Sequence, residues 1–214
     1  MKDLWLIRHA ESLANIGEAT STPREIPLSD NGLQQAVELA ESITSRPDLV
    51  VVSPYIRTQQ TAEPLMQRYP DVRYESLPIQ EFTYLSISRC RGTNSAQRRP
   101  WVEEYWNNAD PNYCDGDQSE SFVEFLNRVD GFVREMTERE YELAFAFTHE
   151  QVIKALIWRT MNLNAALDST GMKAFYQFMV SFKIPNAATL QMKIDGDELQ
   201  YFGKVQPLHT NSNA

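Results

Sequence analysis

The chain has 214 residues, of which 42% are hydrophobic, so it is long and apolar enough for one domain with a sizeable buried core. Its net charge of −9 argues against a general nucleic-acid-binding protein and requires that any anionic substrate be held by a local basic pocket. The longest apolar runs, such as residues 143–147, are too short to cross a bilayer, and no secretory signal pattern precedes Arg8, so we expect a cytoplasmic protein.

The first half of the chain predicts two strands and two helices. Residues 3–7 form an apolar run that stops at Arg8-His9 and is typical of a buried strand. Turn residues at 29–32 precede an apolar helical face that comprises Leu33, Ala36, Val37, Leu39, Ala40 and Ile43. Residues 49–52 are apolar and rich in β-branched side chains, which predicts a central parallel strand. Ser53 and Pro54 then predict an N-cap and the first position of a helix that runs to about residue 68.

The second half predicts a long excursion, a helix–strand–helix unit and a closing hairpin. A short strand at 74–77 leads into residues 78–118, a substrate-facing excursion with short helices, which its aromatic residues argue is ordered. An apolar face predicts a helix over 120–139, and a buried strand at 143–148 and a helix at 150–161 follow it. Residues 187–194 and 199–205 flank Asp195-Gly196-Asp197 and predict an antiparallel hairpin at a sheet edge.

Alternating strands and helices predict an α/β fold: a three-layer α/β/α sandwich around a mostly parallel central sheet with an antiparallel edge hairpin. We expect one domain over residues 1–207 and a polar tail at 208–214. In such sheets, sites form beyond the carboxyl ends of the strands. Three predicted strands end in polar groups there, namely Arg8-His9, Ser53 with Arg57 soon after it, and Thr148-His149.

This combination of side chains suits phosphoryl transfer. An imidazole is a competent covalent nucleophile at neutral pH. Arginine presents a rigid fork of donors to the non-bridging oxygens of a transferring phosphoryl group. Two cations beside a nucleophilic histidine are what phosphoryl transfer without a metal requires. Cys90 and Cys114 predict free thiols, and their spacing suits no metal site.

Several blocks of sequence, in order from residue 4 to about 158, resemble the histidine phosphatase superfamily, the phosphoglycerate mutase-like proteins. They are Arg8-His9-Ala10-Glu11-Ser12 with Asn15, then Leu28 to Gly32, then Ser53-Pro54-Tyr55-Ile56-Arg57 and its Gln60-Thr61-Ala62, then Gln80-Glu81-Phe82, Glu120-Ser121 and Phe147-Thr148-His149. One short motif is weak evidence, but this ordered series is specific.

The resemblance implies a phosphoglycerate mutase-like fold and a role for each matched residue. His9 is expected to be the phosphorylated nucleophile, and Arg8, Arg57 and His149 to clamp the phosphoryl oxygens, with Asn15 as a further donor. Glu81 is expected to protonate the leaving oxygen and then to activate water. Because Glu81 lies in a poorly patterned region, Glu75 and Glu150 remain alternatives for the acid. The resemblance implies a small phosphorylated substrate as the partner, with no metal or organic cofactor; a homo-oligomer is compatible with it.

Two features leave alternatives open. Four arginines and no acid lie between residues 86 and 102 (Arg89, Arg91, Arg98 and Arg99). They are either ordinary surface charge or a basic rim in which Arg98 and Arg99 bind a second phosphate or a carboxylate. Glu150-Gln151 replaces the small residues that the family carries after its second histidine. Its carboxylate either makes a favourable contact with a helix dipole or narrows the site and repels the substrate.

Three functions follow in order of preference. A phosphomonoester hydrolase comes first, because Glu81 is followed by Phe82-Thr83-Tyr84 and not by the Arg-His-Tyr-Gly-like run of true phosphoglycerate mutases. A mutase-type phosphotransferase comes second. A catalytically silent phosphate-binding domain comes third, since every expected catalytic residue type is present.

Overall fold

A computed structural model of the chain describes residues 1–162, 165–195 and 198–206. Within these residues lies one six-stranded sheet with the strand order β3-β2-β4-β1-β5-β6. The strands are β1 (Lys2–Arg8), β2 (Leu49–Val52), β3 (Arg73–Ser76), β4 (Leu143–Thr148), β5 (Thr189–Asp195) and β6 (Glu198–Gln206). The predicted polar tail at 208–214, and Gly196 and Asp197 of the predicted hairpin turn, lie outside the described residues.

The sheet is mostly parallel, as predicted. Strands β1, β4, β2 and β3 pair in parallel, whereas β5 pairs antiparallel with β1 and β6 pairs antiparallel with β5. The antiparallel edge hairpin is therefore confirmed. Strands β2 and β4 are buried almost throughout, which explains why their sequences are continuous apolar runs without alternation.

Helices cover both faces of the sheet, which confirms the three-layer sandwich. They are α1 (Asp30–Ser42), α2 (Ile56–Arg68), α3 (Ile87–Cys90), α4 (Ser95–Asn108), α5 (Phe122–Glu138), α6 (Glu150–Met161) and α7 (Ser169–Ser181), with a short 3₁₀ helix at Pro23–Glu25. Val50 and Val52 of β2 join a core with α1 and α2, whereas Val51 joins the core formed with α5 and α6. None of the helices in the described part of the chain is long and apolar enough to cross a membrane.

The strand register brings the three predicted strand ends together. Arg8 lies opposite Thr148 in the β1–β4 pair, and Val52 lies opposite Phe147 in the β2–β4 pair. Arg8-His9, Ser53 and His149 therefore leave neighbouring strands at one edge of the sheet. This edge is where the sequence places the site.

Several local predictions were wrong. Helix α2 begins at Ile56 after the N-cap Tyr55, so Ser53 and Pro54 do not start it; the Ser53 hydroxyl is used elsewhere. Leu33 and Val37 are 47% and 41% exposed, because only part of the predicted apolar face of α1 meets the sheet. Helix α4 spans 14 residues in a region where short helices were predicted. Helix α7 was not predicted. It follows the N-cap Asp168, whose side chain accepts a hydrogen bond from the Gly171 N–H.

Candidate active site

A cavity of about 300 Å³ opens at the carboxyl edge of the parallel strands. Six of the predicted site residues line it, and five of these are Arg8, His9, Asn15, Arg57 and Glu81. Arg98 lines it too, but His149 and Arg99 do not. The topology thus gathers residues that are more than 70 positions apart in the sequence around one space that a small molecule can enter.

A hydrogen bond of the His9 ring determines which of its two nitrogens carries the proton. Its Nδ1 lies 2.7 Å from the carbonyl oxygen of Ala10, and a carbonyl can only accept, so Nδ1 carries the proton. The Nε2 lone pair is therefore left free. Burial, and then the charges of Arg57 and Arg8, hold the pKa of His9 well below its usual value. The lowered pKa favours the uncharged ring at neutral pH.

Arg57 is a buried cation whose place is set by its protein contacts. Its Nη1 donates to the Pro23 carbonyl at 2.6 Å, and its Nη2 donates to His149 Nδ1 at 3.0 Å. Its guanidinium also lies 4.9 Å from the centre of the Tyr55 ring. Burial lowers the pKa of Arg57 to about 10, so it is charged at neutral pH. Among the described residues, no carboxylate forms an ion pair with Arg57. The guanidinium lines the cavity, which has room for an anion.

His149 contacts Arg57 and is not among the residues that line the cavity. Because arginine only donates, His149 accepts at Nδ1 and carries its proton on Nε2, which donates to the Ser53 hydroxyl at 2.8 Å. Both ring nitrogens are occupied, and burial with the nearby Arg57 holds the pKa of His149 well below its usual value. The structure thus shows His149 in contact with Arg57 and Ser53, and its predicted clamp on the phosphoryl oxygens stays a prediction.

Arg8 reaches the cavity from the end of β1 and is held by two groups. Its Nη1 donates to the Ile184 carbonyl, and its Nη2 lies 3.2 Å from a carboxylate oxygen of Glu150. Glu150 therefore makes a contact that neither of the two sequence-based alternatives included. It is the counter-charge of Arg8.

Glu81 is the acid that the structure brings to the cavity. Its Oε1 accepts from the backbone N–H groups of Gln151 at 3.0 Å and Phe82 at 3.4 Å. Burial raises the pKa of Glu81; Arg57 and Arg8 oppose this effect and the charge of Glu150 adds to it. Its two competitors are committed elsewhere, since Glu75 pairs with Arg139 and Glu150 with Arg8 and Lys154.

Asn15 is oriented with its amide N–H groups available. Its side-chain oxygen accepts from the N–H and the hydroxyl of Ser12 at 3.0 and 2.9 Å, and from Asn186 at 3.2 Å. The amide nitrogen therefore points away from these donors. This geometry is compatible with the prediction that Asn15 donates a further hydrogen bond to the phosphoryl oxygens.

The two adjacent arginines of helix α4 lie in different environments. Arg98 donates to Thr20 Oγ1, Thr93 Oγ1 and the carbonyls of Cys90 and Thr93, so most of its guanidinium tethers loops that border the cavity. Arg99 is 79% exposed and pairs with Glu103 one helical turn away. The expectation that both contact a substrate is therefore wrong for Arg99, because successive helical residues point in different directions.

Some residues of the site were not singled out by sequence reasoning. The Ser53 hydroxyl orients His149, the Gln151 N–H holds Glu81, and the backbone of Ile184 holds Arg8. Ser53 carried a signal because it belongs to a matched sequence block, and Gln151 because it belongs to a departure from the family pattern, but Ile184 carried none. In the part of the chain that the structure describes, no cluster of three or more His, Cys, Asp or Glu side chains is placed to hold a metal ion. Cys90 is buried in the cavity wall and Cys114 is exposed, and both are free thiols.

The chain is similar to known phosphatases in sequence and in fold. The sequence profile of the histidine phosphatase superfamily (branch 1) matches residues 4–200. An adenosylcobalamin/alpha-ribazole phosphatase from Escherichia coli is 28% identical over 170 residues, which is 76% of this chain and 80% of that protein.

Solved structures share the fold at lower identity. An alpha-ribazole phosphatase from Shigella flexneri superposes with a TM-score of 0.70 at 23% identity, over 95% of each chain. A phosphoserine phosphatase from Entamoeba histolytica superposes with a TM-score of 0.72 at 15% identity, over 98% of each chain. These likenesses establish the fold.

Proposed function

We propose that this chain, which belongs to the histidine phosphatase superfamily and is a phosphatase of the histidine type, hydrolyses phosphate monoesters through a phosphohistidine on His9. The observation that carries the proposal is the pairing of His9 and Arg57 in one cavity. His9 is uncharged with Nε2 free, and Arg57 is a buried cation without a carboxylate partner among the described residues. A phosphoryl group supplies the anion that Arg57 lacks and the electrophile that His9 needs.

In the first step, His9 Nε2 attacks phosphorus, a P–N bond forms and the P–O bond to the leaving group breaks. The leaving oxygen takes a proton from Glu81, whose pKa is raised by burial. Arg57 and Arg8 neutralise the charge that develops on the phosphoryl oxygens, with Asn15 as a further donor. His149 and Ser53 contribute by fixing Arg57.

In the second step, water attacks the phosphorus of phosphohistidine from the face that the leaving group has vacated. The Glu81 carboxylate accepts the proton of this water, the P–N bond breaks and inorganic phosphate forms. His9 returns to its neutral form, and Glu81 is again protonated for the next cycle. One carboxyl thus serves as acid and then as base, and the pKa of Glu81, raised by burial, favours its role as the acid.

The test is phosphate release from p-nitrophenyl phosphate in buffer with and without a chelator. We expect turnover in the wild type under both conditions and none with His9→Ala. A parallel assay follows the interconversion of 2- and 3-phosphoglycerate; fast interconversion with slow phosphate release would replace hydrolysis by mutase chemistry. If neither assay shows turnover while inorganic phosphate binds, the chain is a silent phosphate-binding domain. Alpha-ribazole 5′-phosphate belongs in the substrate panel because the relatives are named for it.

A further inference from the structure

Glu150 occupies an unusual place for an acid, directly after His149 and at the first position of helix α6. Its side chain turns toward the neighbouring strand β1, where its Oε2 lies 3.2 Å from Arg8 Nη2. Arg8 lines the cavity and Glu150 does not. The carboxylate therefore contacts the guanidinium of a cavity residue without lining the cavity itself.

Glu150 and Arg8 also share a third group, the backbone of Ile184. Arg8 Nη1 donates to the Ile184 carbonyl, while the Ile184 N–H donates to Glu150 Oε1 at 3.3 Å. Ile184 is fully buried, so this backbone segment is a rigid support. The three groups form a closed ring of polar contacts that leaves the guanidinium little freedom to rotate.

A second cation, Lys154, offers a purely structural reason for an acid at this position. Lys154 is 4% exposed, and its Nζ lies 2.7 Å from Glu150 Oε1 and donates to the carbonyls of Met179 and Phe182. A buried ammonium group needs a counter-charge. A test must therefore separate the contact with Lys154 from the contact with Arg8.

We propose that Glu150 is a positioning residue for phosphoryl transfer, holding the Arg8 guanidinium in a fixed orientation against the phosphoryl group and offsetting part of its charge. This inference rests on the proposed function. A misplacement of about 1 Å at a catalytic group costs up to roughly 100-fold in rate, so Glu150→Gln is expected to lower kcat by about 10- to 100-fold. KM is not expected to rise, because the loss of one negative charge strengthens the attraction of Arg8 for the substrate.

The deciding experiment is a double-mutant cycle between Arg8 and Glu150 with p-nitrophenyl phosphate. If Glu150 acts through Arg8, Glu150→Gln lowers kcat in the wild type but changes it by less than about 2-fold when Arg8 is already Met. Equal losses in both backgrounds would overturn the proposal. The matched control is Lys154→Met, which removes the structural contact and is expected to leave kcat close to that of the wild type.

Two further arms keep the result decisive. Glu150→Gln leaves the buried charge of Lys154 uncompensated and can fold poorly for that reason alone. The Glu150→Gln/Lys154→Met variant removes both charges. Recovery of wild-type kcat in this double variant would refute the positioning role. The same Arg8–Glu150 cycle is run on the dissociation constant of inorganic phosphate, which needs no turnover. An absence of hydrolysis by the wild type would thus refute the proposed function, while the presence or absence of coupling in phosphate binding still decides the role of Glu150.

Discussion

Replacing Arg57 by Met tests the electrostatics of the site most sharply. Of the five N–H donors of its guanidinium, one serves the Pro23 carbonyl and another serves His149 Nδ1. If two of the remaining donors bind the phosphoryl group, the substitution removes charge-assisted hydrogen bonds worth about 1.5 to 3 kcal/mol each. The loss of about 3 to 6 kcal/mol corresponds to a fall of roughly 10²- to 10⁴-fold in kcat/KM.

The same substitution should displace the pH profile. Activity requires neutral His9, which sets the acid limb, and protonated Glu81, which sets the basic limb. Arg57 lowers the pKa of both groups, so its removal raises both, and the two limbs of kcat/KM move to higher pH together. Using one substrate throughout keeps the substrate's own ionisation constant.

The assay is initial-rate kinetics with p-nitrophenyl phosphate over the full pH range, with the unfolding transition of each variant measured beside it. The matched control is Arg68→Met on the same helix, because Arg68 too is anchored by hydrogen bonds, to the carbonyls of Ala40 and Ile43, but lies away from the cavity. We expect that control to keep wild-type kcat/KM. A folded Arg57→Met enzyme within about 10-fold of the wild type, with unmoved limbs, would refute the reasoning.

Three further predictions concern the acid, the arginines of helix α4 and a close backbone approach. Glu81→Gln should lower kcat/KM, which reports the phosphorylation of His9, by about 10²- to 10⁴-fold on alkyl phosphates and less on p-nitrophenyl phosphate, whose leaving group needs little protonation; equal losses in kcat/KM would contradict its role as acid. Arg98→Ala should lower the free energy of unfolding in urea by about 1 to 3 kcal/mol, whereas Arg99→Ala should change it by less than about 0.5 kcal/mol. A Cβ at Gly32 would lie 1.9 Å from the Glu11 carbonyl oxygen, so Gly32→Ala should lower the free energy of unfolding by more than about 3 kcal/mol. The control is Gly131→Ala, which should cost no stability because its Cβ would meet only the end of a side chain, at 3.8 Å.

The sequence predicts most of the sheet and the location of the site. Continuous apolar runs identify β2 and β4, and the polar residues that follow them mark the carboxyl edge. Parallel pairing then places His9, Arg57 and Glu81 around one cavity. This much follows from local pattern and the general rule for open α/β sheets.

The rest depends on tertiary contacts that leave no local pattern. The Ser53 hydroxyl is a plausible N-cap in sequence, but a histidine 96 residues away takes it as a partner. Arg98 and Arg99 are equivalent in sequence, yet only one of them faces the loops at Thr20 and Thr93. The role of Glu150 could not be read from the sequence, because Arg8 and Ile184 reach it from other segments of the chain.

The central claim is that His9 carries the phosphoryl group, and the most direct measurement is the mass of the enzyme quenched in alkali during turnover. Glu81→Gln is the variant to use with p-nitrophenyl phosphate, because it slows the attack of water more than the loss of this leaving group. We expect a burst of nitrophenol and the addition of one phosphoryl group, stable to alkali, labile to acid and located on His9 by peptide mapping. Hydrolysis without this adduct, or an adduct that persists after His9→Ala, would contradict the claim.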